Sequence, residues 1–141
     1  MAKRIFDVVA SVLGLIILLP FFLVVAIVIK LDSKGPILFL QQRIGKGGEP
    51  FFLFKFRTMY MGADKGTAIT VGNRDPRITT RGYYLRKSKI DELPQLINVL
   101  KGEMSFVGPR PEVKKFVNLY TSEQRRVLDV APGMTDYASI L

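Results

Sequence analysis

No charge interrupts the residues from Val8 to Ile29, and at about 1.5 Å per residue a helix of that length reaches roughly 33 Å, enough to cross a bilayer core of about 30 Å. Length therefore permits a full span. Two features predict another path: Pro20 lies near the middle, and basic residues flank both ends, Lys3 and Arg4 before, Lys30 and Lys34 after. A helix broken at Leu19-Pro20 that dips into one leaflet and returns keeps both flanks in the cytoplasm. A Pro-kinked spanning helix stays open as the alternative. A signal peptide fits less well, because the apolar run is long and lacks a small-residue cleavage pattern. Asp7 follows Arg4 by three positions, which predicts an ion pair on one helix face at the interface. A second reading gives Lys3 and Arg4 to the phosphate of a lipid.

Past Asp32-Ser-Lys-Gly-Pro36 the pattern changes to short apolar and aromatic runs. Ile37 to Gln42 and Phe51 to Phe56 predict two strands joined across Gly45-Lys-Gly-Gly48, a hairpin too small to be stable without helices against it. The aromatics at 51, 52, 54 and 56 suit packing better than base stacking, so no nucleic acid is expected as a partner. Met61 to Arg77 reads as loop, after which Thr80 caps a short helix ending at Arg86.

Leu93, Leu96, Ile97 and Leu100 then fall at i, i+3, i+4 and i+7, with Gln95, Asn98 and Lys101 facing elsewhere and Gly102 as the stop. Starting this helix with a Ser88/Asp91 capping box would bury Pro94 in its interior, at a cost of roughly 3 kcal/mol. A start between Ile90 and Glu92 puts Pro94 in the first turn and sets Asp91 and Glu92 at the positive end of the helix dipole. Such an end also attracts phosphate, while the plainer reading of Asp91 is an N-cap. In Gly108-Pro-Arg-Pro111 two prolines stiffen the chain around Arg110, which suits either bidentate phosphate binding or a simple rigid turn. Val113, Phe116, Val117 and Tyr120 predict another amphipathic helix, and Thr121-Ser122 restarts one through Leu128 that ends before Pro132-Gly133.

The pattern as a whole predicts an α+β chain that is mainly α. A re-entrant membrane helix broken at Pro20 (1–31) precedes a cytoplasmic, membrane-associated part (32–141) with a small β-hairpin and several amphipathic helices packed at the membrane interface. Composition narrows the chemistry. A formal charge of +9 calls for an anionic partner. The chain has neither Cys nor His, which excludes thiolate catalysis, Cys-ligated zinc, disulfides and the usual neutral-pH base. Carboxylates, hydroxyls, Lys, Arg or an oxygen-bound hard cation remain. An Asp nucleophile fits, since with an ordinary pKa near 3.9 it needs no base to activate it at neutral pH.

Several ordered motifs then resemble the catalytic domain of the bacterial sugar transferases, the monotopic polyprenyl-phosphate phosphoglycosyl transferases. They are Lys3-Arg-Ile-Phe-Asp7 with the Pro20 helix, Gln42-Arg-Ile-Gly45, Lys55-Phe-Arg-Thr-Met59, Leu85-Arg86, Asp91-Glu-Leu-Pro-Gln-Leu-Ile-Asn-Val-Leu-Lys-Gly102, Met104-Ser-Phe-Val-Gly-Pro-Arg-Pro111 and Pro132-Gly133. The resemblance implies transfer of a sugar 1-phosphate from a UDP-sugar to undecaprenyl phosphate with release of UMP, at the cytoplasmic leaflet of the bacterial inner membrane. The product is a lipid-linked diphosphate sugar that starts capsule, O-antigen, exopolysaccharide or glycoprotein glycan assembly. It implies Asp91 as nucleophile forming a phosphosugar intermediate, with Glu92 and Asp91 holding Mg2+. Arg86, Arg110, Lys55 and Arg57 are then candidates for substrate phosphate, and Lys3, Arg4 and Asp7 for the lipid phosphate or the interface. Family members continue past this point into further helices, and Asp136 and Tyr137 replace a commoner Gly-Leu or Gly-Trp pair, which leaves the nucleotide or sugar pocket of a piece ending at Leu141 in question. A membrane-anchored basic binding module and an inactive scaffold remain the alternatives, and the sugar and any homo-oligomer are left open.

Overall fold

In the computed structural model, which describes residues 1–66, 72 and 75–136, the N-terminal apolar run is one helix, α1 (Ala2–Asp32), with Pro20 inside it. The helix assignment continues through Leu19-Pro20, where the sequence predicts a break. Ile16, Ile17, Leu19, Leu23, Val24 and Ile27 are all exposed, as expected for a helix whose solvent is hydrocarbon. Strands β1 (Leu38–Ile44) and β2 (Pro50–Phe56) pair as the predicted antiparallel hairpin, with a 3-10 turn at Lys46–Gly48. Gly47 and Gly48 both take positive φ in that turn, which L residues adopt at a cost.

The chain divides into two compact units. The first comprises Met1–Ile16, Leu40–Phe54 and Gln95–Leu141, and the second Ile17–Phe39 and Lys55–Pro94. The core of the first is Phe51, Leu53, Val99 and Met104, with Phe106 and Met134 against it. Alternate residues of β2 supply its strand side, Phe51 and Leu53 buried with Phe52 exposed between them. Helix α3 (Leu96–Lys101) supplies the other side and closes at Gly102, whose φ of 90° is the left-handed stop that glycine permits.

Asn98, expected on the polar face of this helix, is fully buried. Its Nδ2 donates to Phe52 O (2.7 Å) and to Glu103 Oε2 (2.7 Å), and its Oδ1 accepts from Phe54 N (3.0 Å). Gln95 is buried as well. Helical periodicity cannot separate a polar side chain in water from one that replaces water by satisfying backbone groups of a neighbouring strand.

The N-terminal turns of α1 are bonded into the same unit. Lys3 Nζ donates to Val107 O (3.0 Å), and Arg4 donates to the carbonyls of Val99 (2.5 Å) and Leu100 (2.7 Å) at the end of α3, where orphan carbonyls await donors. Asp7, only 4% exposed, accepts from Ser105 Oγ (2.8 Å) and Phe106 N (3.4 Å). The Arg4–Asp7 pair predicted from spacing is therefore replaced by longer-range partners, because both side chains find backbone or buried polar groups that a helix-face pair would leave unsatisfied.

A parallel pair, β3 (Ser105–Val107) with β4 (Gly133–Thr135), has no counterpart in the sequence reading. Three-residue strands bear too little alternation to be visible. Helix α4 (Lys114–Val117) is a single turn where an amphipathic helix to Tyr120 is expected, and Gln124–Asp129 is 3-10. Thr121 does start that segment, with Thr121 N to Gln124 Oε1 (2.9 Å) and Gln124 N to Thr121 Oγ1 (3.2 Å) bonded reciprocally.

In the second unit Val25, Ile29, Phe56 and Leu85 form the core, with Phe22 edge-on to Phe56. Arg57, a sequence candidate for substrate phosphate, is 5% exposed. It donates to Pro36 O (2.6 Å), Ser33 Oγ (2.7 Å), Lys34 O (2.9 Å) and Ser33 O (2.8 Å). Its guanidinium thus holds the segment that leaves α1, with four of its donor contacts spent on the fold. Helix α2 (Thr80–Lys87) is capped by Thr79, one residue earlier than expected, whose Oγ1 accepts from Gly82 N (2.9 Å).

Candidate active site

Two short elements of the second unit meet at Asp91 and Glu92. Helix α2 ends with Ser88 Oγ bonded back to Tyr84 O (2.7 Å), so Ser88 closes the helix behind it and does not cap the one ahead. Lys89 follows with φ of +60° and is the only non-glycine at positive φ among the described residues. The chain then enters a 3-10 segment, Ile90–Gln95, with Asp91 and Glu92 in its first turn and Pro94 inside it. Pro94 is fully buried, and the α-helical hydrogen bonding resumes only at Leu96, two residues beyond it. The expected α-helical start at Ile90 to Glu92 is thus a tighter turn, the form helix termini take when a proline removes a donor.

Asp91 is 7% exposed, and its buried Oδ1 has no hydrogen-bond partner among the described residues. A buried acceptor without a donor costs stability, so its retention calls for a reason other than folding. Burial is the first cause holding the Asp91 carboxyl above the usual range. The Lys55 ammonium opposes it, the Glu92 carboxylate adds to it, and Arg86 and Lys89 oppose it further. Lys55 Nζ lies 3.5 Å from Glu92 Oε1. Four of the sequence candidates, Lys55, Arg86, Asp91 and Glu92, are therefore gathered in one unit, with Lys89 as a cation the sequence reading missed. Nothing could have flagged it, since left-handed positions are read from Gly or Asn.

The site carries two hard carboxylates, one of them with an unsatisfied oxygen. Among the described residues no group of three or more His, Cys, Asp and Glu side chains gathers. Two carboxylates with the remaining positions left to water and substrate phosphate suit Mg2+, which is seldom caged by protein alone.

Arg110 belongs to the first unit, where it is exposed and lines a cleft with Ile44, Tyr120 and Pro132. Its loop is held on two sides. Ile44 N donates to Glu112 O (2.9 Å) and Arg43 to Pro111 O (3.4 Å), while Gly133 N donates to Pro109 O (2.9 Å) and Gly108 N to Thr135 O (3.0 Å). A Cβ on Gly108 would stand 2.5 Å from Ala131 O, so backbone passes backbone here and only glycine fits. Beside the two prolines, these bonds tie the loop to its neighbours.

The model of the family described as "Bacterial sugar transferase" matches residues 1–141. The chain belongs to that family. The chain is 46% identical over 86% of its length to a Bacillus subtilis (strain 168) protein whose name provisionally assigns it undecaprenyl-phosphate N-acetylgalactosaminyl 1-phosphate transfer, covering 68% of that protein. It is 41% identical over 99% of its length to the UDP-N-acetylgalactosamine-undecaprenyl-phosphate N-acetylgalactosaminephosphotransferase of Aeromonas hydrophila, covering 34% of it. It is 43% identical, again over 99% of its length, to the UDP-glucose:undecaprenyl-phosphate glucose-1-phosphate transferase of Xanthomonas campestris pv. campestris, covering 30%. The chain thus spans about a third of the length of the latter two. Their names differ in the sugar and agree on the lipid phosphate.

Proposed function

We propose that this protein moves a sugar 1-phosphate from a UDP-sugar to undecaprenyl phosphate, releasing UMP. The observation that carries the reading is Asp91: a buried carboxylate with an unsatisfied oxygen, on which the charges of Lys55, Arg86 and Lys89 act. The names of the relatives support the substrates.

In the first step an Asp91 oxygen attacks the sugar-bearing phosphorus, forming one P–O bond as the anhydride P–O bond breaks, and UMP leaves with the bonding electrons. An oxygen of the lipid phosphate then attacks the same phosphorus, the bond to Asp91 breaks, and the polyprenyl diphosphate sugar is released. Asp91 needs no general base for this, which suits a chain without His. Asp91 and Glu92 would hold Mg2+, which when bound supplies neutralisation of phosphoryl charge. Lys55 and Arg86 orient the diphosphate and offset the charge that spreads over its oxygens. Arg110 is proposed as a separate phosphate contact on its rigid loop. Incubation with a panel of UDP-sugars should give EDTA-sensitive UMP release from at least one donor when polyprenyl phosphate is present. Release from none, in protein shown to be folded, would reject the transferase reading in favour of a binding module or inactive scaffold.

We also propose that α1 enters and leaves the cytoplasmic leaflet of the inner membrane. The support is a charge-free run with Pro20 inside it and cations at both ends. The chain has no cysteine, so Ala2→Cys and Lys34→Cys each give a unique label. Both should react only with a reagent on the cytoplasmic side. Periplasmic labelling at residue 2 with cytoplasmic labelling at residue 34 would establish a spanning helix.

A further inference from the structure

Lys89 stands apart from every other described non-glycine residue in its backbone. The left-handed conformation brings Cβ against the peptide carbonyl, and side chains other than Gly, Asn or Asp enter it rarely and at a cost. Lys89 gains no local compensation from its side chain, because among the described residues its ammonium makes no hydrogen bond or ion pair. Its peptide groups do act: Lys89 N donates to Arg86 O (3.1 Å), and Lys89 O accepts from Glu92 N (3.3 Å). The residue is thus the hinge pin between the end of α2, which carries Arg86, and the turn that carries Asp91 and Glu92. A strained conformation of this kind persists where the surrounding structure fixes it, and such positions concentrate at ligand sites.

The charges around it are informative. Lys55, Arg86 and Lys89 act on Asp91 with Glu92 beside it, three cations for two carboxylates. Lys55 lies in contact with Glu92. Lys89 is solvent-exposed, and beyond its charge acting on Asp91 its ammonium bonds to nothing among the described residues, which leaves its donors open to an incoming anion.

We propose that Lys89 is a diphosphate-binding residue of this site, carried on a strained turn so that its ammonium meets the donor phosphates beside Asp91. This rests on the transferase reading above and adds to it the residue that anchors the anion before any bond changes. The strain explains the form of the device. A glycine would make the same turn without strain but bring no charge, and Lys87, on the last turn of α2, lies before the left-handed residue that turns the chain toward Asp91.

The test separates backbone from charge. Lys89→Gly keeps the left-handed turn and removes the ammonium, whereas Lys89→Arg keeps the cation. With inorganic pyrophosphate and Mg2+ as the probe, the full chain in detergent or nanodiscs should show a thermal shift that Lys89→Gly loses and Lys89→Arg retains. In the ligand-free state Lys89→Gly should melt no lower than wild type, because it relieves the turn. With an active UDP-sugar donor, Lys89→Gly should raise KM by roughly five- to tenfold, the usual scale for one charge-assisted contact, with a smaller change in kcat. If pyrophosphate fails to shift the wild type, or shifts Lys89→Gly equally, the proposal is overturned. Pyrophosphate binding does not require turnover, so a site that binds pyrophosphate through Lys89 yet releases no UMP would reject the reaction and leave the anion site standing.

Discussion

Asp91→Asn is expected to lower sugar-phosphate transfer by roughly a thousandfold or more and, at neutral pH without metal, to raise the melting temperature by a few degrees. Loss of the proposed nucleophile would produce the first effect. The second follows from the sign of the Asp91 shift. Burial holds its carboxyl above the ordinary range, so the folded state favours the protonated form more than the unfolded chain does. The stability this provides is fully present below the unfolded pKa and is lost as pH rises through the folded one. An amide is neutral throughout, so the advantage of Asp91→Asn should shrink as pH falls through the raised pKa. Thermal scans of both proteins in EDTA across pH 4 to 8, beside initial rates with Mg2+, would check this. A variant less stable than wild type at neutral pH would mean that Asp91 is a structural cap.

The largest effect on stability alone is expected at Asn98. Asn98→Asp replaces the Nδ2 donor by an oxygen facing Phe52 O and the Glu103 carboxylate, both 2.7 Å from the present nitrogen, in a fully buried position. It should cost about 2 to 4 kcal/mol, a fall in melting temperature on the order of 10 °C. Circular dichroism of the detergent-solubilised protein would measure it. A change within about 2 °C would mean that the link between α3 and β2 is not what holds the first unit together.

These two residues show which parts of the molecule were legible from sequence. The apolar run of α1, the hairpin and the acidic turn each carry a local signal in charge, alternation or proline position, and each appears close to its predicted place. Asn98 and Arg57 carry none. Both are polar side chains whose partners are carbonyls and amides distant along the chain, and spacing treats them as solvent-facing or ligand-facing. Asp7 and Arg4 were legible as a neighbouring pair, yet the fold offers each a better partner on β3 or α3. The parallel β3–β4 pair depends on Gly108 and Gly133 allowing backbones to touch, and two glycines 25 positions apart announce nothing by themselves. At the site the acidic pair was legible through its motif and the proline that follows it. The charge balance around it needed the structure, because Lys55 and Lys89 reach it from different elements.

The account rests on Asp91 becoming covalently bonded to phosphorus, and intact-mass analysis of rapidly quenched protein tests it most directly. Mixed with Mg2+ and an active UDP-sugar, without lipid acceptor, the wild type should gain the mass of one sugar phosphate, mapped to the peptide holding Asp91, and lose it when polyprenyl phosphate is added. Transfer to lipid with no adduct at any quench time, or an adduct that persists in Asp91→Asn, would contradict it.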